Sequence, residues 1–135
     1  MTKRRANRQR GSALVETALV TIPFFTLVLG IITAGYLVFI YNSTAFMAQQ
    51  GSRWASVRGS TSTSPATAAS VQTYVDTQAA GLVSGSVAVT TTWSPNNKPG
   101  STVSVKVAYL AQPLSTLGFP SALSISSSSS TTISK

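Results

Sequence analysis

Between Thr17 and Tyr41 the chain carries no charged side chain, and the stretch 18–40, 23 residues dominated by Leu, Ile, Val, Phe and Ala, is apolar on every side of a helix. A helix needs about 20 such residues to cross the hydrocarbon core of a bilayer. The globular alternative, a buried core helix, fails on size, because a chain of 135 residues has too little left to wrap so long a rod. The run therefore predicts a single membrane span over residues 18–41. Lys3, Arg4, Arg5, Arg8 and Arg10 precede it, while the nearest cations beyond it are Arg53 and Arg58. The positive-inside rule then keeps residues 1–11 cytoplasmic and exports the C-terminal part from the inner (cytoplasmic) membrane. An ordinary cleaved signal peptide fits less well. The run exceeds the usual length of about 7–15 apolar residues, and Ala45 with Met47-Ala48 is only a loose Ala-x-Ala site.

One carboxylate stands at the mouth of this segment. Glu16 follows Gly11-Ser12-Ala13-Leu14-Val15, and the only other acid in the chain is Asp76. A carboxylate costs roughly 2.5–3.5 kcal/mol at the centre of a bilayer and less near an interface. Its placement calls for a compensating role.

The overall charge of +8 would ordinarily raise nucleic acid as a partner, but five of the ten cations lie before the apolar run. Cutting after Gly11 leaves five cations against two acids, a net charge of +3, with no basic stripe interleaved with aromatics. Nucleic acid is not expected as a partner. The chain has no histidine and no cysteine, and Asp76 is the one acid outside the long helix. The parts for most hydrolytic and metal chemistry are missing, and forty Ser and Thr hydroxyls do not supply the base that would activate them. These absences predict a protein that is not an enzyme, with no metal, no cofactor and no small-molecule substrate.

Pro23 lies inside the span and should kink it or loosen its first turns. Gly30 and Ala34, with Gly35 beside them, have the small-xxx-small spacing that permits close helix approach. Beyond the membrane, Ala45, Ala48, Gly51 or Ser52, and Ala55 form a flat stripe suited to a packed sheet or to a second copy of the helix. Phe46, Gln50, Trp54 and Val57 form a bulkier stripe beside it. Arg53 and Arg58 suit a helix C-terminus, and Gly59 is a natural stop. Asn42-Ser43-Thr44 matches a glycosylation sequon, but at a membrane boundary within a helix it reads as coincidence.

In the remainder, Thr63 or Ser64 with Pro65 suggests a capped start for a second helix over 66–80, stopped by Gly81. Its buried face would hold Ala69, Val71 or Gln72, Val75 and Ala79, with Asp76 solvated. Val87, Val89, Thr91 and Trp93 alternate, as do Val103, Val105, Val107 and Tyr109, and a turn-rich 94–100 joins them as an antiparallel hairpin. Lys106 would face solvent. Residues 111–120 read as an irregular crossing, and Leu123, Ile125 and Ile133 mark a third strand whose polar run 126–132 specifies no face. The fold class is α+β: a long membrane-spanning helix continuing into a small exported domain, with a second short helix and a two- to three-stranded antiparallel sheet. The boundaries read as a basic leader over 1–11, a long helix over 12–59 and the exported domain over 60–135.

Gly11-Ser12-Ala13-Leu14-Val15-Glu16 followed by a long apolar run resembles the TadE family of minor pseudopilins, of the tight-adherence branch of type IV pilus systems. Gly51-Ser52-Arg53-Trp54-Ala55 and Val57-Arg58-Gly59 resemble that family's pattern after the membrane. Val105-Lys106-Val107-Ala108-Tyr109 and Pro113-Leu114 echo a later strand. The resemblance runs over residues 10–59 and 101–126 and is absent over 60–100. It implies a pilin-like fold, cleavage by a prepilin peptidase between Gly11 and Ser12, and Glu16 as the fifth residue of the mature chain. Its implied partners are the membrane, the peptidase, other pilin or pseudopilin subunits and the pilus assembly platform, with incorporation into a cell-surface pilus. The new ammonium on Ser12 of one subunit would pair with Glu16 of another, so that two charges costly in a membrane offset each other. Gly30, Ala34, Gly51 and Trp54 would serve helix packing. Thr17 after Glu16, where the family often has an aromatic, and a body larger than that of the short major pilins both favour a minor or initiating subunit. Many relatives also carry a cysteine pair that this chain lacks. The competing reading is a single-pass envelope protein whose exported domain binds a partner or surface without entering a fibre.

Overall fold

A computed structural model of the chain describes residues 3–79, 81–82, 86–111 and 122–134, with side chains from residue 13 onward. Helix α1 runs Lys3–Ser56 and α2 Ala68–Gln78; strands β1 Val87–Ser94, β2 Thr102–Ala111 and β3 Leu123–Thr132 follow. The fold is α+β, with one long apolar N-terminal helix and a small antiparallel sheet. Two compact units divide the chain between Tyr36 and Leu37.

In the first unit the described part is helix alone. From Ala13 onward α1 is long and apolar enough to cross a membrane, with a mean hydropathy of 2.2 over its most apolar window and only 11 % of that window buried. A core helix of a water-soluble protein would be mostly covered. Here Leu19, Ile22, Phe24, Leu27 and Ile31 are all exposed. The helix passes through Pro23 without interruption. Thr17, Thr21, Thr26 and Thr33 each donate their hydroxyl to the carbonyl four residues back, at 2.6–2.9 Å. These donors need no partner from another segment, which suits a helix in lipid.

The second unit is built on the last turns of α1. Ile40, Thr44, Met47, Ala48, Gly51, Ser52 and Ala55 are buried on one side, so the flat stripe expected from the sequence is covered within the chain itself. The sheet that covers it has the order β1-β2-β3, antiparallel throughout. Val103, Val105 and Val107 of the central strand are fully buried, each contributing about 1.5–3 kcal/mol, while Lys106 between them faces out. Residues 126–132, whose face the sequence left open, are ordered as strand by this pairing, with Val105 opposite Ser129 and Val107 opposite Ser127. Ser127, Ser129 and Thr131 point inward and are small, which lets the sheet approach the equally small stripe of α1.

Two expectations about α2 are corrected. The cap is Thr67, not Thr63 or Ser64: Ser70 N–H donates to Thr67 Oγ1 at 3.2 Å and Thr67 N–H to Ser70 Oγ at 2.9 Å, a reciprocal capping box. Pro65 lies outside the helix because Ala66 is buried and its N–H is bound to Arg58 O at 2.7 Å, which holds the approach extended. The buried face consists of Val71 and Val75; Ala69 is exposed. At the other end Gly81 has φ +81°, a left-handed conformation that a side chain would strain, and it lies against the Phe39 ring. Pro113 and Leu114, and most of the expected irregular crossing, lie outside the described residues.

Candidate assembly surfaces

The backbone at Gly11 and Ser12 is helical and lies within α1. The cationic stretch before them consists largely of good helix formers, and one glycine costs a helix only about 1 kcal/mol relative to alanine. Glu16 is exposed one turn beyond Ser12, beside the similarly exposed Leu14, Val15, Leu19 and Val20. It forms no ion pair with any described residue. The neighbouring Thr17 and Thr21 hydroxyls are committed to backbone carbonyls. The mouth of the apolar segment therefore presents a single carboxylate on an apolar wall.

Gly30 and Ala34 lie on an open face. Nothing comes within 4 Å of the position a Cβ would take at Gly30 or Gly35, and Ala34 is exposed. The face is free to meet another helix.

Gly51 and Trp54 are used within the second unit. A Cβ on Gly51 would lie 3.0 Å from Val75 Cγ2 and 3.2 Å from Val105 Cγ1, so this glycine is where α1, α2 and β2 converge. Trp54 stacks on Tyr74 of α2, with centroids 5.1 Å apart and planes 18° apart. The Arg58 guanidinium covers the Trp54 ring at 4.2 Å, and its Nη1 donates to Trp54 O at 3.4 Å. Phe46 and Val57, from the same bulky stripe, are about half exposed.

Two polar side chains, Ser52 and Gln72, named from the sequence only as alternatives on packed faces, position this domain through hydrogen bonds. Ser52 Oγ donates to Gln49 O at 3.0 Å, leaving its two lone pairs for Ser129 Oγ at 3.0 Å and Thr131 Oγ1 at 3.2 Å. Gln72 spans from α2 to the outer edge of β1. Its Nε2 donates to Val87 O at 3.3 Å and to Asp76 Oδ1 at 2.9 Å, and its Oε1 accepts Val89 N–H at 3.1 Å. The amide stands in for a neighbouring strand, and Asp76, expected simply to be solvated, holds it in place. A polar residue inside the Val71–Val75 turn was the available signal for Gln72. Ser52 was legible only as a small residue of the flat stripe, not as a hydrogen-bonding one.

Among the described residues no group of three His, Cys, Asp or Glu side chains comes together to hold a metal ion. The class these features define is a chain with one long apolar helix that leads directly into the core of a small α+β domain. Compared with known families, residues 11–53 match the model described as TadE-like protein, less than half of the chain. The match starts at Gly11, includes Glu16 and the apolar run, and stops at Arg53, before α2 and the sheet. No curated protein and no solved structure matches the chain.

Proposed function

We propose that the protein is a TadE-like minor pseudopilin, a single-pass membrane protein that assists assembly or initiation of a tight-adherence pilus. The observation that carries this reading is the family match over 11–53, which begins at Gly11 and includes Glu16 together with the whole uncharged apolar run. In this reading the domain lies outside the cytoplasmic membrane, a prepilin peptidase cuts between Gly11 and Ser12, and the protein's partners are pilin subunits and the assembly platform. The helical backbone at the cut must open locally for the peptidase, and glycine, about 1 kcal/mol less favourable than alanine in a helix, makes that opening cheaper. The freed ammonium on Ser12 pairs with Glu16 of a neighbouring subunit, in a register that apolar contacts alone do not define. The exposed face around Gly30 and Ala34 lets a neighbouring helix approach closely.

The deciding measurement is the N-terminal sequence of the membrane-extracted protein, with and without a co-expressed prepilin peptidase. Ser12 as the first residue, only when the peptidase is present, supports the reading. Recovery of residues 3–10 on every molecule would sink it and leave an envelope protein that enters no fibre.

A further inference from the structure

Of the exposed large apolar side chains of the second unit, Val38, Phe39, Tyr41, Leu110 and Leu123 stand at one end, while Phe46 and Val57 lie farther along the chain. α1 and β3 run in the same direction across their contact: Ser52 meets Ser129 and Thr131, and Ser56 O accepts Ser134 N–H. Counting back from that contact, Ser52 to Phe39 covers about 20 Å of helix at 1.5 Å per residue. Ser129 to Leu123 covers about 20 Å of strand at 3.3 Å per residue. Leu123 therefore stands near the level of Phe39. Leu110, paired opposite Ser124 and bonded through its N–H to Ser86 O, stands there too. Phe39 touches the Gly81 position just ahead of β1, which marks the same end.

Phe39, Tyr41, Leu110 and Leu123 are 46, 57, 48 and 40 % exposed, a degree of apolar exposure that water does not favour. Arg53, Arg58 and Lys98 are placed at the opposite end, near the C-terminus of α1 and in the β1–β2 connection. From Thr17 to Tyr36 the uncharged helix contains 20 residues, about 30 Å, which fills a hydrocarbon core before Leu37 is reached. Leu37 and Ile40 are packed into the domain's own core and so do not face acyl chains.

We propose that this end of the domain is a lipid-contact surface. The hydrocarbon-spanning part of α1 ends at Tyr36, and Phe39, Tyr41, Leu110 and Leu123 lie in the adjoining headgroup layer. Tyrosine suits that layer, with its ring toward acyl chains and its hydroxyl toward water. The inference rests on α1 spanning the membrane, as proposed above.

A chain without cysteine accepts single nitroxide labels cleanly. Full-length Leu27→Cys, Leu110→Cys, Leu123→Cys and Val57→Cys would be labelled in vesicles of phosphatidylethanolamine and phosphatidylglycerol. Each label's accessibility to oxygen, which partitions into lipid, is compared with that to a water-soluble nickel chelate. The expected oxygen-to-nickel ratio is highest at 27, lowest at 57, and at 110 and 123 several-fold above that at 57. A water-like ratio at 110 and 123 with a high ratio at 27 overturns the lipid contact and leaves the span standing. A label at 27 that is itself water-like overturns the span. Low accessibility to both reagents at 110 and 123 means that protein covers the patch, and overturns the proposal in favour of a subunit contact.

Discussion

Gly51 on α1 and Val75 on α2 are in contact only because the glycine has no side chain: a Cβ there would lie 3.0 Å from Val75 Cγ2. Val105 closes the other side at 3.2 Å, and both valines are fully buried. Gly51→Ala gains about 1 kcal/mol of helix propensity but loses about 1–3 kcal/mol to overpacking. The expected outcome is a thermal midpoint lowered by several degrees in detergent-solubilised protein, and Gly51→Val should prevent the sheet from docking. An alanine variant as stable as the wild type would show that the three elements have slack between them.

Gln72 protects the edge of β1 by forming the hydrogen bonds a fourth strand would form. Gln72→Ala removes bonds worth about 0.5–1.5 kcal/mol each and leaves the Val89 amide open to solvent. Hydrogen exchange at Val89 should accelerate more than at Val105 in the strand beside it. Gln72→Glu should cost more than the alanine, because an ionised carboxylate cannot donate to Val87 O and faces Asp76.

The Arg58–Trp54–Tyr74 stack joins the end of α1 to α2. Trp54 is only half-buried, so Trp54→Ala should cost about 2 kcal/mol, below the roughly 3–5 kcal/mol of a fully buried tryptophan. Trp54→Phe should recover most of it. Denaturant unfolding followed by far-ultraviolet circular dichroism checks the order wild type, Phe, Ala.

Glu16→Gln keeps the size and helix propensity of the side chain and removes its charge. In the pseudopilin reading, peptidase processing continues at its normal rate while pilus assembly falls several-fold. Immunoblots for the cut form beside counts of surface pili separate the two steps. Unchanged assembly would remove the pairing role from Glu16.

Much of the architecture was legible from periodicity. Val103, Val105, Val107 and Tyr109 alternate with residues that face away from the core, and all four are buried on one face as that alternation requires. The 126–132 run was not legible, because serine and threonine carry no preference for a face. β3 takes its register from β2 and from Ser52. The α2 cap was misplaced for a related reason: Thr63, Ser64 and Thr67 are all competent caps, and only the Ala66–Arg58 hydrogen bond selects among them. Of the proposed site, Glu16 stood out as a lone carboxylate at the mouth of an apolar run, whereas the role of Gly11 came from the family resemblance. Gln72 was legible as a candidate for the packed face of α2 but its partners were not, because they are backbone atoms 15 and 17 residues away.

The sequence by itself determined the apolar helix, the position of Glu16 at its mouth and the hairpin, since each follows from local pattern and the cost of placing charge in lipid. Only the tertiary structure decided what the flat stripe of α1 is for. Ala48, Gly51, Ser52 and Ala55 would suit a second helix equally well, but the sheet of the same chain lies on them. An intrachain sheet pays no association entropy and closes a core that α2 and three strands could not bury alone. The stripe is therefore consumed within the chain itself.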